Sequence, residues 1–295
     1  MPSQRSGISA DSHKYPVCGL NVIGTQIANN IVSYSNDGMM CMWDIKQFSK
    51  PIRTNRLAAY RPSRQPSKIA PASANRSSAL YRNEDSVISK NSSILEKTVK
   101  DELHDINITC SDFPSGDANN YYLGSLNGVL YKGSLHNKGN EKMSLFDEHN
   151  GPISGLSVNN PSEFDYLNGL VLTSSYDWTV KLWNSDSKDS MRTFESSEDY
   201  VYDVSWHPTN PSIFSTVNND GYLEIYDLTK NVEIPIVQEK VSKNGLNKCR
   251  WNNDGSAIVT GDSSGSLSLH ILAEKHRKME TSKYEDLTKY LSQAP

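Results

Sequence analysis

One pattern of apolar and polar positions recurs along the chain. A short β-rich run meets a polar tight turn, and an alternating run follows, often ending in Trp or Tyr beside a polar residue. It occupies residues 31–45 (IVSYSNDGMMCMWDI), 121–134 (YYLGSLNGVLYKGS), 170–184 (LVLTSSYDWTVKLWN), 213–228 (IFSTVNNDGYLEIYDL) and 257–272 (AIVTGDSSGSLSLHIL). Alternation with a period of two marks half-buried strands, so each block predicts two antiparallel strands around a turn. Asp37-Gly38, Asn127-Gly128 and Asp220-Gly221 are dipeptides that accept the positive φ of a two-residue hairpin. A further strand precedes each hairpin, at 17–22, 106–110, 153–158, 201–206 and 246–251, and a fourth follows at 143–146, 191–194 and 233–237. The class is all-β, with four strands per unit.

The spacing of the turns decides how many units there are. Turn positions 37, 127, 177, 220 and 264 are separated by 90, 50, 43 and 44 residues. The last two intervals match the period of roughly 40–45 residues of WD40 repeats, each of which forms a propeller blade. The first interval is about two periods, which leaves room for a blade or an insert. Residues 56–93 are rich in Ser, Pro and Arg, without strand alternation, and read as a disordered insert rather than a blade. The expected organisation is a disordered N-terminus (1–12), WD40 β-propeller blades (13–273) broken by a disordered basic insert (55–100), and a helical tail (274–295). About five blades are visible. The last lacks an outer strand of its own, because LSLHIL is followed by a polar helical pattern. A larger ring is therefore expected over a closed ring of five.

Charge sharpens this division. The chain of 295 residues carries a net charge of -4, yet residues 53–100 hold ten Lys and Arg against three acids, leaving -11 on the remainder. An acidic body thus carries a basic insert whose nine Ser make it a candidate for phosphorylation. Only Tyr60 and Tyr81 interrupt its basic run, so stacking on nucleic acid is not expected, and a solvated linker is the simpler reading. No apolar run approaches the roughly 18–20 residues of a membrane helix, and no membrane insertion is expected. Cys18, Cys41, Cys110 and Cys249 form no CxxC pair and read as free thiols in a reducing, cytoplasmic compartment.

The chemistry-bearing residues point away from catalysis. His149, Thr173 or Ser175, Asp177 and Trp183 are spaced as the hydrogen-bonded set that ties a WD40 turn to its strands. Asp37, Trp43 and Asp220 are read as structural in the same way. Gly261-Asp262-Ser263-Ser264-Gly265 matches the nucleophile-elbow pattern G-x-S-x-G, but that motif needs a helix after the Ser, and a strand follows here. The seven His are scattered without metal-ligand spacing. No cofactor and no enzymatic activity are expected.

Two strings exceed the general repeat pattern: SSYDWTVKLW (174–183), with Trp178 where the turn usually has Gly, and EDYVYDVSWHPTNPSIF (198–214). With residues 13–44 and 261–267 they closely resemble the C-terminal propeller of the cytoplasmic dynein intermediate chains. The resemblance implies a seven-bladed ring, and a subunit of a microtubule-associated motor complex that docks on the dynein heavy chain. Light chains and dynactin bind an N-terminal region of that family that this chain is not expected to carry. Trp178, Tyr176 and Tyr200 are the candidate protein-binding residues, against the simpler reading that Trp178 packs between blades. The rival reading is a scaffold or substrate receptor of a ubiquitin ligase. It is weakened because Trp43-Asp44-Ile45 ends in Lys46, which lacks the bidentate fork of Arg.

Overall fold

The computed structural model describes residues 6–7, 11–24, 29–60, 103–117, 119–136, 143–159, 169–195, 198–230, 233–277, 287 and 291. The chain divides into two units, one made of residues 1–57 with 106–295 and the other of 58–105. The larger unit contains five antiparallel sheets in chain order. Blade 1 holds β1 (Val17–Gly24), β2 (Asn29–Ser35), β3 (Met39–Asp44) and β4 (Arg53–Arg56). In the smaller unit β5 (Ala58–Tyr60) pairs with β6 (Leu103–Asp105). Blade 2 holds β7 (Ile108–Asp112), β8 (Asn120–Ser125), β9 (Val129–Ser134) and β10 (Ser144–Asp147). Blade 3 holds β11 (Ile153–Val158), β12 (Leu170–Ser175), β13 (Val180–Asn184) and β14 (Ser190–Phe194). Blade 4 holds β15 (Val201–Trp206), β16 (Ile213–Asn218), β17 (Tyr222–Asp227) and β18 (Val237–Lys240). Blade 5 has β19 (Leu246–Trp251), β20 (Ala257–Asp262) and β21 (Leu267–Ile271), and its sheet is three-stranded.

The five sheets share one register. In every blade the first pairing shifts by one residue at the same place: between Val17 and Gly19, Ile108 and Cys110, Ile153 and Gly155, Val201 and Asp203, and Leu246 and Lys248. This repeated bulge bends the first strand and fixes which side chains face each neighbouring blade. The first strands pack side by side in chain order, β1 on β7, β7 on β11, β11 on β15 and β15 on β19. Between them Ser111 donates to Asn21 Oδ1 (3.1 Å) and Thr109 to the Ile153 carbonyl (2.6 Å).

Apolar side chains fill the space between consecutive blades. Tyr122, Leu130 and Phe146 of blade 2 meet Ile153, Leu156, Val158, Val171 and Trp183 of blade 3. Each such side chain, fully buried, contributes about 1.5–3 kcal/mol. Leu287 and Leu291 are helical, four residues apart, and buried with Trp206, Phe214 and Tyr226. The expected tail therefore packs against the body at these two positions.

Three expected boundaries move. Asn55 and Arg56 belong to β4 and residues 58–60 to β5, so the stretch from 55 begins as strand. Arg53-Thr54-Asn55-Arg56 lacks apolar alternation because a fourth strand needs few buried side chains. The rest of the expected insert, 61–102, lies outside the described residues. In blade 4 the fourth strand is Val237–Lys240, not 233–237, because Pro235 has no N–H to donate. Pairing begins with Ile236, whose N–H reaches the Ile225 carbonyl at 2.7 Å. Within the expected disordered N-terminus, Gly7 donates to the Ser49 carbonyl (3.4 Å) and Asp11 accepts from Cys41 Sγ (3.6 Å).

Candidate interaction site

Each hairpin turn needs one residue in the left-handed region, and Gly takes it in four blades. Gly38, Gly128, Gly221 and Gly265 have φ of 74°, 78°, 82° and 87°. In blade 3 the position belongs to Trp178 at φ 71°, the one non-glycine with positive φ among the described residues. Placing a Cβ there costs about 1–2 kcal/mol. The side chain does not recover this by burial, since Trp178 is 52% exposed. Tyr176, in the same turn, and Tyr200, which leads into β15, are 42% and 43% exposed. Their rings meet at 5.2 Å, and Tyr202 meets Tyr176 at 5.6 Å. The structure therefore gathers Tyr176 and Tyr200 into one aromatic patch, with Trp178 two residues along the same turn. Tyr202, which sequence reasoning passed over as a strand residue, extends it through its hydroxyl bond to Asn219 Oδ1 (3.1 Å).

Beneath this rim, hydrogen bonds hold the blade 3 turn. Trp183 Nε1–H donates to Thr173 Oγ1 (2.8 Å), which lies 2.7 Å from His149 Nε2, and His149 Nδ1 lies 2.9 Å from Asp177 Oδ2. A neutral imidazole protonated at Nδ1 satisfies the whole run. Thr173, not Ser175, is the hydroxyl in the set; Ser175 accepts from the Asp177 N–H instead (3.1 Å). Burial alone would raise the Asp177 carboxyl. The His149 hydrogen bond, the Thr179 hydroxyl and the Asn150 N–H outweigh it and hold the carboxyl well below the usual range.

Blade 1 repeats the arrangement with residues the sequence reading left out. Trp43 Nε1–H donates to Ser33 Oγ (2.8 Å), which lies 2.7 Å from His13 Nε2, and Asp37 accepts from the Lys14 and Met39 amides. Ser33 stands ten residues before Trp43, as Thr173 does before Trp183, and that shared spacing was the available signal. Blade 4 departs from the pattern. Asp220 is exposed at its turn, and Asn218 Oδ1 receives the Tyr222 N–H instead (2.9 Å). There the buried Glu224 accepts from Thr216, Tyr226 and Gln238, with Tyr226 in the register position of Trp183.

No nucleophile is assembled at the G-x-S-x-G string. Ser263 and Ser264 lie in the turn between β20 and β21, and Ser264 donates its hydroxyl to Asp262. That bond, with those from Ser242 and Ser266, holds the Asp262 carboxyl down at about 2. All four Cys are free; burial pushes the Cys110 and Cys249 thiols up to about 12, far from a reactive thiolate. Among the described residues no cluster of three or more His, Cys, Asp or Glu is placed to hold a metal, and no helix is long and apolar enough to cross a membrane.

The WD domain, G-beta repeat family matches residues 140–184 and 188–227. Each match starts at the fourth strand of one blade and continues through three strands of the next, so the sequence repeat is offset from the sheet by one strand. The cytoplasmic dynein 1 intermediate chain of Drosophila melanogaster is 29% identical over 293 residues, covering 99% of this chain and 38% of the relative. The chain thus spans less than half the length of that relative. Along almost its whole length, then, the chain is similar to a cytoplasmic dynein 1 intermediate chain, and it carries WD40 repeats built as four-stranded blades.

Proposed function

We propose that this chain serves as a non-catalytic subunit of a cytoplasmic dynein complex, docking on the dynein heavy chain through the rim that carries Trp178, Tyr176 and Tyr200. The complex would act on microtubules in the cytoplasm. The observation that supports the rim is Trp178: its backbone is strained, the strain is not offset by burial, and a large exposed aromatic is the result. Half-exposed aromatics on a rigid rim are typical interface anchors, since they bring large contact area at little entropic cost.

The test is co-purification of the dynein heavy chain with wild type and with Trp178→Gly, alongside a melting curve for each. Trp178→Gly restores the residue the other four turns use, so the fold should hold while heavy-chain affinity falls by about 2 kcal/mol or more. Unchanged affinity would remove the rim from the docking surface. Failure of the wild-type chain to retain the heavy chain would overturn the subunit reading itself.

A further inference from the structure

Blade 5 keeps the central hydroxyl of the blade 3 hydrogen-bonded set but shortens both side chains that should meet it. His149 lies four residues before the first strand of blade 3, as His13 does in blade 1, and Ser242 holds that place in blade 5. Packing bears out the equivalence: Gly128 sits against the carbonyls of His149 and Gly151, and Gly221 against those of Ser242 and Asn244. Thr173 pairs with Leu156 and Lys181, and Thr260 pairs with Cys249 and Ser268 at the same register, which puts His270 where blade 3 has Trp183. Thr173 Oγ1 is bonded on two sides, by His149 and by Trp183. Thr260, only 1% exposed, has no hydrogen-bond partner for its Oγ1, and the buried His270 Nε2 has none either. Neither replacement spans the gap. The Ser242 hydroxyl turns to Asp262 Oδ2 instead (2.7 Å).

Where the His149 ring fills blade 3, blade 5 has a cavity of about 360 Å³ between the loop Val241–Asn244 and the β20–β21 hairpin. Its walls include Ser242, Leu246, Thr260, Asp262 and Ser264. That volume falls within the range of small-ligand sites, about 300–1,000 Å³. A buried hydroxyl without a partner is costly, and a ligand that bonds it recovers the cost. We propose that this cavity is a binding site for an imidazole ring, as a free compound or as a histidine side chain. One ring nitrogen bonds Thr260 Oγ1, as His149 Nε2 does Thr173 Oγ1. The other donates to the Asp262–Ser264 pair. Ser264 stands at the turn position of Asp177: its N–H bonds Asp262 as the Asp177 N–H bonds Ser175. Asp262 is ionised at neutral pH, because bonds from Ser264, Ser242 and Ser266 hold its carboxyl at about 2, and it accepts a further N–H.

Methyl NMR of the full chain, read at Leu246 and Thr260 during titration, tests this. Imidazole and N-acetylhistidine methylamide are the probes, with thiophene as a ring of the same size that lacks nitrogen. Imidazole should move both methyl signals saturably, and thiophene should not. Saturation by the histidine derivative as well would mark a protein side chain as the natural source; saturation by imidazole alone would mark a free compound. Ser242→His supplies the ring from within the chain, so it should raise the melting temperature and weaken imidazole binding at least tenfold. Thr260→Val keeps the shape and removes the hydroxyl, so the fold should hold while affinity, read at Leu246, falls about tenfold. This second variant decides the matter if Ser242→His does not fold. Absence of saturable binding by either nitrogen ring would overturn the proposal. Thiophene binding as tightly as imidazole, or unchanged affinity in Thr260→Val, would equally overturn it.

Discussion

Blades 4 and 5 share strand order, register, bulge and turn, yet their third strands live in different surroundings. Leu223 and Ile225 on β17 are sealed by the following blade, whereas Leu267 and Leu269 on β21 lie open. The alternation that predicts a strand is identical in the two. What differs is the layer beyond: β17 is paired along both edges and covered, whereas among the described residues β21 has one paired edge and a bare face. A blade's side chains are therefore buried by its neighbour more than by its own sheet, and stability should vary along the series accordingly.

Substitutions at equivalent positions can break this comparison. Leu223→Ala should cost about 2–5 kcal/mol in urea unfolding, since it opens a cavity between two blades. The next largest effect belongs to the hydrogen-bonded turn. Asp177→Asn should cost about 1–3 kcal/mol by leaving His149 without its carboxylate partner. That effect carries a pH signature. The Asp177 carboxyl is depressed in the folded state, so its contribution is complete above the unfolded value of about 3.9 and is lost as pH falls through the folded value. The gap between wild type and Asp177→Asn should hold from neutral pH to about pH 4 and narrow only below it. Trp178→Gly should leave the melting temperature unchanged or raise it, with a gain of up to about 1–2 kcal/mol from relieved backbone strain. Leu267→Ala should be the smallest, within about 0.5 kcal/mol, although it removes the same atoms as Leu223→Ala.

Much of the fold was legible because strand alternation and turn dipeptides are local signals. All five hairpins, and the strand before each, lie where the pattern predicts within a few residues. The fourth strands were harder to place. Arg53–Arg56 hides in a basic stretch because its side chains need no apolar face, and Pro235 displaced the last one toward its C-terminal neighbours. The hydrogen-bonded set of blade 3 could be read from His149, Asp177 and Trp183, whereas that of blade 1 rests on His13 and Ser33, which stand at comparable spacings and were left out. Asp220 carries the right dipeptide without the set, because blade 4 has Tyr226 and Glu224 where blade 3 has Trp183 and Lys181. A turn dipeptide fixes backbone geometry; it does not specify what lies beneath it. The exposed strain at Trp178 was visible as a Trp in a glycine position, but its left-handed backbone needed the structure.

The central claim is that five copies of one blade build differ in stability through what covers them. Amide hydrogen exchange resolved along β17 and β21 tests this most directly. The account predicts that every amide of Tyr222–Asp227 exchanges slowly, whereas those of Leu267–Ile271 that point away from β20 exchange close to the unprotected rate at low protein concentration. Equal, high protection of both strands under those conditions would contradict it, since β21 would then have to be paired and covered within the chain itself.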